Sequence, residues 1–117
     1  GVAALPMAML PGPRAHAWGT LLSDTGLPAA PVSGERVRTG GDAPALSGTV
    51  VEAEPWRLSV LIDGPAPGTA FLAAEGDGDQ VSVSVWLYVY GPDAPAVAAR
   101  EQSLWQEWLV GRGQSST

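Results

Sequence analysis

The residues best suited to acid–base chemistry are three carboxylates on neighbouring predicted strands. Glu52 and Glu54 stand two residues apart, and Asp63 belongs to the next strand along the chain. Because alternate residues of a strand share one face, Glu52 and Glu54 are predicted to point the same way, together with Val50. If that face lines a cavity, the pair can exchange protons with a bound molecule. Charges that alternate with apolar residues more often mark a solvent-facing side, which is the interpretation that we favour.

The other candidate for proton transfer is His16, the one histidine of the chain, on a predicted helix. A lone histidine cannot form a metal site without partners at ligand spacing. A surface position is therefore favoured over a role as general acid or base. The run Gly76-Asp77-Gly78-Asp79 lacks the twelve-residue spacing and the final glutamate of a calcium-binding EF-hand. It is predicted to form a tight turn, so we expect no metal and no cofactor, and no catalytic residue is assigned.

One long run of alternating residues, from Gln80 to Tyr90, is the strongest structural signal. Its odd-numbered positions are aliphatic, and its even-numbered positions include Trp86, Tyr88 and Tyr90. This pattern predicts one strand with two chemically different faces. We favour the aliphatic face as the buried one, which would make the three rings an interface such as that of a homodimer. The opposite orientation would make them the wall of an aromatic pocket.

Composition excludes several classes of function. The chain has 117 residues, a formal net charge of −6, six basic side chains and no cysteine. Its arginines are scattered, which is a poor match for nucleic acid, and the absence of lysine excludes Schiff-base chemistry. No apolar stretch approaches the roughly 20 residues that span a bilayer, and the apolar start is broken by Pro6. We expect a cytoplasmic protein that contacts neither nucleic acid nor membrane.

The order of predicted elements is strand, helix, five strands, helix. Residues 2–10 read as an edge strand, because Pro6 cannot donate a ladder hydrogen bond, and Pro13 opens a helix that runs to about Ser23. Asp93 caps a last helix over residues 94–110, which Gly111 and Gly113 are predicted to end. The strands between the helices are predicted at residues 35–39, 48–54, 57–63, 69–74 and 80–90. A run of strands with a helix at each end is typical of an α+β fold.

Several short motifs, in this order along the chain, resemble a known superfamily. The segment from Pro11 to Asp24, with Trp18 inside it, resembles the first-helix pattern of START-like domains. Residues 34–38 and 47–58 resemble their pair of strands with the pattern GTVVE followed by proline, and Trp105 to Leu109 resembles the end of their terminal helix. The chain is therefore similar to the SRPBCC superfamily, near its Hsp90-ATPase-activator-like and polyketide-cyclase branches.

This resemblance implies a helix-grip fold, an antiparallel curved sheet of about six strands packed on the C-terminal helix, with one short N-terminal helix. It implies a single START-like domain over residues 1–112, followed by a disordered tail over 113–117. Members bind lipids, hormones or polyketides, and some catalyse cyclisation or dehydration. The expected function is a module that binds a small apolar or aromatic molecule. A polyketide cyclase or dehydratase, and a protein-interaction module without ligand, are the alternatives.

The expected pocket lies between the sheet and the last helix, whose apolar stripe is predicted to include Leu104, Trp105 and Trp108. Glu101 falls among these apolar positions, one turn after Val97. It either reaches solvent, which is favoured, or lies in the pocket with a pKa raised by burial. The predicted ligand contacts are Trp18, Leu58, Val60, Leu72, Val83, Val85, Leu87, Val97, Glu101 and Leu104.

Overall fold

A computed structural model describes residues 1–114, an antiparallel sheet packed against two helices. The strands are β1 (Val2–Ala4), β2 (Met7–Pro11), β3 (Arg36–Arg38), β4 (Ser47–Glu54), β5 (Arg57–Gly64), β6 (Gly68–Glu75) and β7 (Gln80–Val89), and the helices are α1 (Arg14–Thr25) and α2 (Ala94–Gln114). The predicted α+β helix-grip class is confirmed. The sheet has seven strands rather than about six, because residue pairing with β7 is interrupted at Leu5 and Pro6, which divides the predicted first strand in two. The Pro6 carbonyl still accepts a hydrogen bond from the Val85 N–H at 3.1 Å.

The sheet follows the order β1-β7-β6-β5-β4-β3, and β2 also pairs with β7. Strands β1 and β2 therefore lie one after the other along the free edge of β7. Every pairing is antiparallel. Consecutive strands from β3 to β7 are neighbours, so the middle of the chain forms a simple meander. Strands β1 and β2 pair with β7 at the edge of the meander farthest from β3.

One face of the sheet forms the hydrophobic core. The aliphatic residues of β7, from Val81 to Val89, are all 0% exposed. The orientation favoured from the alternating sequence is therefore confirmed. Alternate residues of β5 and β6 continue this face, and they are Leu58, Val60, Ile62, Ala70, Leu72 and Ala74. Burial of so many branched side chains contributes about 1.5–3 kcal/mol for each large one, before the opposing loss of chain entropy.

Helix α2 covers the core at the edge formed by β1, β2 and β7. Trp105 is 0% exposed and Trp108 is 8% exposed. Their rings meet edge to face, with centroids 5.7 Å apart, an arrangement that adds stability beyond burial alone. The predicted burial of these two indoles is confirmed. Leu104, which the predicted stripe also included, is not part of the buried side, because it lies about 100° around the helix from Trp105 and is 45% exposed.

Two glutamines attach α2 to the main chain at the break between β1 and β2. The Leu5 N–H donates to Gln102 Oε1 at 2.8 Å. Gln106 accepts a hydrogen bond from the Met7 N–H at 3.0 Å and donates from Nε2 to the Met7 carbonyl at 2.7 Å. These contacts satisfy backbone groups on the side of β2 that no strand covers, and they fix the helix against that edge.

The C-terminal end of α2 differs from the prediction. Gly111 and Gly113 were expected to end the helix, but it continues to Gln114. A Cβ atom at Gly113 would lie 2.5 Å from the carbonyl oxygen of Met9. Glycine is thus needed here for close approach of the helix to β2 rather than for a turn. The predicted tail begins inside α2, and residues 115–117 lie outside the described residues.

Helix α1 packs on β2, β6 and β7. Its inner side consists of Ala17, Leu21, Leu22 and Thr25, and the Thr25 hydroxyl donates to the Leu21 carbonyl at 2.7 Å. Trp18 is only partly buried and packs against the rim of the core. His16 is exposed, as expected for a surface histidine.

Candidate functional site

A groove of about 520 Å³ crosses the outer face of the sheet, on the side opposite the core. Its lining comes from β2, β4, β5, β6 and β7 and from Leu5 in the β1–β2 connection. Leu58 and Leu72 also border the groove, although their side chains belong to the core. A concave surface of this volume lies in the range of small-molecule sites. It is therefore the candidate binding site.

The floor of the groove contains two aromatic rings that meet across neighbouring strands. Phe71 of β6 stands directly opposite Trp86 of β7. Their centroids are 5.8 Å apart with a tilt of 50° between the planes, a separation at which aromatic rings attract each other. Phe71 is 40% exposed and Trp86 is 46% exposed. Both rings thus keep surface available for a flat or apolar molecule.

The apolar floor continues to the edge of the sheet. Leu5 and Met7 line the groove and are each about half exposed, at 48% and 47%. Met7 stands opposite Ser84 of β7 in the register, so it shares the outer face with that serine. The hydrogen bonds from Gln102 and Gln106 hold the main chain of these two residues. Helix α2 therefore fixes the position of Leu5 and Met7, which form one wall of the groove.

The opposite wall is acidic. Glu52, Glu54 and Glu75 line the groove together with one cation, Arg57, and all four side chains are exposed. Among the residues that the structure describes, Arg57 forms no ion pair within 4.0 Å. The wall thus has more carboxylates than guanidinium groups.

A bulge in β4 explains the direction of these carboxylates. The register with β5 shifts between Val50 and Glu52, so that Val51 is extra. Val50 stays in the core at 2% exposure, whereas Glu52 and Glu54 turn outward. The predicted face shared with Val50 is therefore wrong, and the favoured solvent-facing position of the two glutamates is right. A bulge reverses the alternation after it, which the sequence pattern alone did not reveal.

Asp63 does not join the two glutamates. It forms an ion pair with Arg36 and accepts a hydrogen bond from the Ser47 hydroxyl at 2.8 Å. The Arg36 hydrogen bond, with that of Ser47, lowers the pKa of the Asp63 carboxyl. The three carboxylates that the sequence suggested for proton exchange are thus split between the groove and a surface ion pair.

The tip of the β4–β5 hairpin is held in an unusual conformation beside the acidic wall. Trp56 has a φ of 68°, a left-handed conformation that costs of order 1–3 kcal/mol for a bulky residue. Its carbonyl accepts a hydrogen bond from the Ala74 N–H at 3.0 Å. The guanidinium of Arg14 lies 5.1 Å from the centroid of its ring. These contacts fix the turn that positions Glu54 and Arg57.

Most of the predicted ligand contacts lie in the core. Val60, Val83, Val85 and Leu87 are 0% exposed, and Val97 packs against the same cluster. A side chain that lined an empty cavity would expose surface to a water molecule. The role of these residues in ligand binding therefore stays a prediction, and it requires α2 to move away from the sheet. Leu104 borders a separate surface hollow beside Trp108 and Asp42.

Within residues 1–114, Glu101 is the one acidic residue that is buried. It is 3% exposed, and its Oε1 atom finds no hydrogen-bond partner in this part of the chain. Oε2 lies 3.6 Å from Nε of Arg100, a side chain that is 60% exposed. Burial raises the pKa of the Glu101 carboxyl. The positive charge of Arg100 and the nearby indole of Trp105 act in the opposite direction but have smaller effects. The favoured solvent position was wrong, because Glu101 lies one turn before Trp105 on the inner side of α2.

The three rings predicted as an interface lie on the outer face or at its end. Trp86 and Tyr90 are 46% and 49% exposed, and Tyr88 is partly buried. Tyr88 and Tyr90 meet edge to face with centroids 5.3 Å apart. Trp86 also belongs to the groove. Their assignment as an interface remains a prediction.

Two other classes of site receive no support from the described part of the chain. Within residues 1–114, no group of three or more histidine, cysteine, aspartate or glutamate side chains is placed to hold a metal ion. No helix in the same range is long and apolar enough to cross a membrane.

Comparison with known proteins finds solved structures with a similar fold, but no match by sequence. No protein-family model matches this chain, and no curated protein matches it. The fold is similar to that of protein MLL2253 from Mesorhizobium loti, with a TM-score of 0.70 at 15% identity over 92% of this chain and 90% of that one.

Two further solved structures have a similar fold. The Aha1 dimer from Colwellia psychrerythraea has a TM-score of 0.67 at 11% identity and covers 97% of both chains. DynU16, a putative protein in the dynemicin biosynthetic locus, has a TM-score of 0.61 at 16% identity over 92% of this chain and 46% of that one. At these identities the similarity supports a shared fold, and function has to be argued from the site itself.

Proposed function

We propose that this protein is a binding module that holds a small apolar or aromatic molecule in the outer groove. The observation that carries the proposal is the Phe71–Trp86 pair, two half-exposed rings 5.8 Å apart on the floor of a concave surface. Large exposed apolar surface of this kind marks interaction sites in soluble proteins. The similarity to DynU16, from a biosynthetic locus, supports a small molecule as ligand. The START-like family and the cytoplasmic location suggested by the sequence belong to the same proposal.

Removing either ring of the floor is expected to weaken binding. The probe is a neutral naphthalene with a four-carbon chain ending in a hydroxyl group, titrated by calorimetry. Phe71→Ala or Trp86→Ala should each lower its affinity about tenfold, since each substitution removes both stacking and apolar contact. Tyr90→Ala is the matched control, because it removes an exposed ring that does not line the groove. Equal affinity for all four proteins, or no measurable binding to wild type, would contradict the proposal.

A second candidate function places an enzyme of the cyclase or dehydratase type at the inner face of the sheet. The observation that favours it is Glu101, a buried carboxyl group with one unpartnered oxygen and a raised pKa. Such groups occur at sites of acid–base catalysis. This function requires the ligand to enter between α2 and β7, where side chains now fill the space. A probe whose affinity depends on Glu101 and not on Phe71 would favour the inner site.

A homodimer through Trp86, Tyr88 and Tyr90 is an alternative to ligand binding on this face, because such a contact would cover Trp86 in the groove. It is supported by their exposure and by the description of the Aha1 neighbour as a dimer. Wild type should sediment as a dimer at high concentration. Tyr88→Glu should sediment as a monomer, because an unpaired charge in a dry interface is costly. Leu104→Glu is the control, since it adds the same charge to an exposed position on α2. Monomers for all three proteins would contradict the interface.

A further inference from the structure

We propose that the outer groove selects molecules that carry a positive charge at one end and an aromatic or apolar group at the other. This inference rests on the proposed function of the groove and names the chemical class of its ligand. It is carried by the order of side chains across the sheet. One end of the groove is apolar and the other end is acidic.

The register fixes this order. Glu52 stands opposite Ser59, Ser59 stands opposite Phe71, and Phe71 stands opposite Trp86. Neighbouring strands are about 4.8 Å apart, so the backbone at Glu52 lies about 10 Å from that at Phe71. A ligand with its ring over Phe71 and Trp86 therefore reaches the carboxylates when a chain of a few atoms joins ring and charge. The small hydroxyl of Ser59 leaves room for that chain.

The charges favour a cation at the acidic end. Glu52 and Glu54 of β4 line the groove beside one guanidinium, that of Arg57, which stands opposite Glu54, and Glu75 adds a third carboxylate farther along β6; the whole chain has a formal charge of −6. An anionic ligand would meet the carboxylates with Arg57 as its one counter-charge in the lining.

The test uses three naphthalene probes that share a four-carbon chain and differ in its last group, which is trimethylammonium, hydroxyl or sulfonate. Calorimetric titration of wild type should give the highest affinity for trimethylammonium and the lowest for sulfonate. The preference should shrink at high salt, since exposed charges are screened. The double variant Glu52→Gln with Glu54→Gln should lose about fivefold in affinity for the cationic probe and little for the neutral one.

Two single variants complete the design. Arg57→Gln should raise the affinity for the cationic probe by about twofold, because it removes the opposing charge from the lining. Glu107→Gln is the matched control: it makes the same change of charge at an exposed position on α2, outside the groove, and should leave every affinity unchanged. Denaturant melts of each variant check that its stability is retained.

The outcomes separate the two proposals. If the hydroxyl probe binds and depends on Phe71, but the sulfonate probe binds as tightly as the cationic one, the groove stands and the charge selection is lost. The same conclusion follows if the glutamate variants bind the cation as wild type does. If no probe binds at all, both proposals are overturned together.

Discussion

Replacing Trp105 with alanine should lower the free energy of unfolding by about 3–5 kcal/mol, the range for a large aromatic side chain removed from a core. Trp105 is the largest fully buried side chain of the described residues. It lies against Trp108, whose Nε1–H donates to Asp42 Oδ1 at 3.2 Å. Its loss therefore leaves a cavity and also loosens the contact between α2 and the loop that contains Asp42.

The neighbouring residue supplies the control. Leu104→Ala removes an aliphatic side chain from the same turn of α2, but Leu104 is 45% exposed. Its cost should stay below about 1 kcal/mol. Both losses of unfolding free energy are measured by denaturant unfolding, with one common slope of free energy against denaturant concentration. A loss of less than about 1 kcal/mol for Trp105→Ala, or equal losses for the two variants, would show that α2 does not pack through this face.

Replacing Glu101 with methionine should raise the stability at pH 7 by about 1–3 kcal/mol, the cost of a buried polar group without a partner. The exposed Arg100 contributes little to the balance. The change of folding stability with pH follows from the raised pKa of Glu101. Because the folded protein holds the Glu101 proton more tightly than the unfolded chain does, the stability that this carboxyl contributes is full below its ordinary pKa, near 4.5. That stability is lost as the pH rises through the higher pKa of the folded state.

Glu101→Gln separates the charge from the shape. Glutamine keeps the size and the polarity of the side chain but cannot ionise. The difference in unfolding free energy between Glu101→Gln and wild type should therefore grow as the pH rises from 4 to 7. Denaturant melts at several pH values measure this difference. A difference that stays constant, or that shrinks with rising pH, would mean that the carboxyl is hydrated or paired in the folded protein.

The sequence was informative where one rule acted alone. The long alternation of residues 80–90 predicted the strand and separated its two faces, because a period of two places all five alternate aliphatic residues on one side. It favoured that side as the buried one, and the structure confirms it. The predicted turn at Gly76–Asp79 located the hairpin but not its register. A turn of four residues would pair Glu75 with Gln80 and therefore Phe71 with Ser84, because paired residues in an antiparallel hairpin have a constant sum. The structure instead pairs Glu75 with Ser82 and Phe71 with Trp86, so the aromatic floor could not be derived from the turn alone.

Other features depend on contacts between distant parts of the chain. The bulge at Val51 reverses the direction of Glu52 and Glu54, and neither residue type signals it. Gly113 resembles a helix stop in sequence, but its role depends on the approach of Met9, more than a hundred residues away. Glu101 was predicted to reach solvent. The packing of α2 against the sheet buries it instead, and the residues near it in sequence do not signal this contact. Local propensity cannot decide such cases, because tertiary packing overrides it.

The glutamine contacts between α2 and the start of the chain determine the order in which the protein can fold during its synthesis. Leu5 and Met7 bond to residues 97 and 99 positions later, and β1 and β2 pair with β7 rather than with β3. The first strands therefore have no native partner until β7 and the glutamines of α2, about 80–100 residues later, have been synthesised. During that interval, Met7 and Met9 belong to an unpaired strand segment. Such segments promote aggregation of nascent chains, so chains that lack β7 and α2 should aggregate more readily than the folded protein.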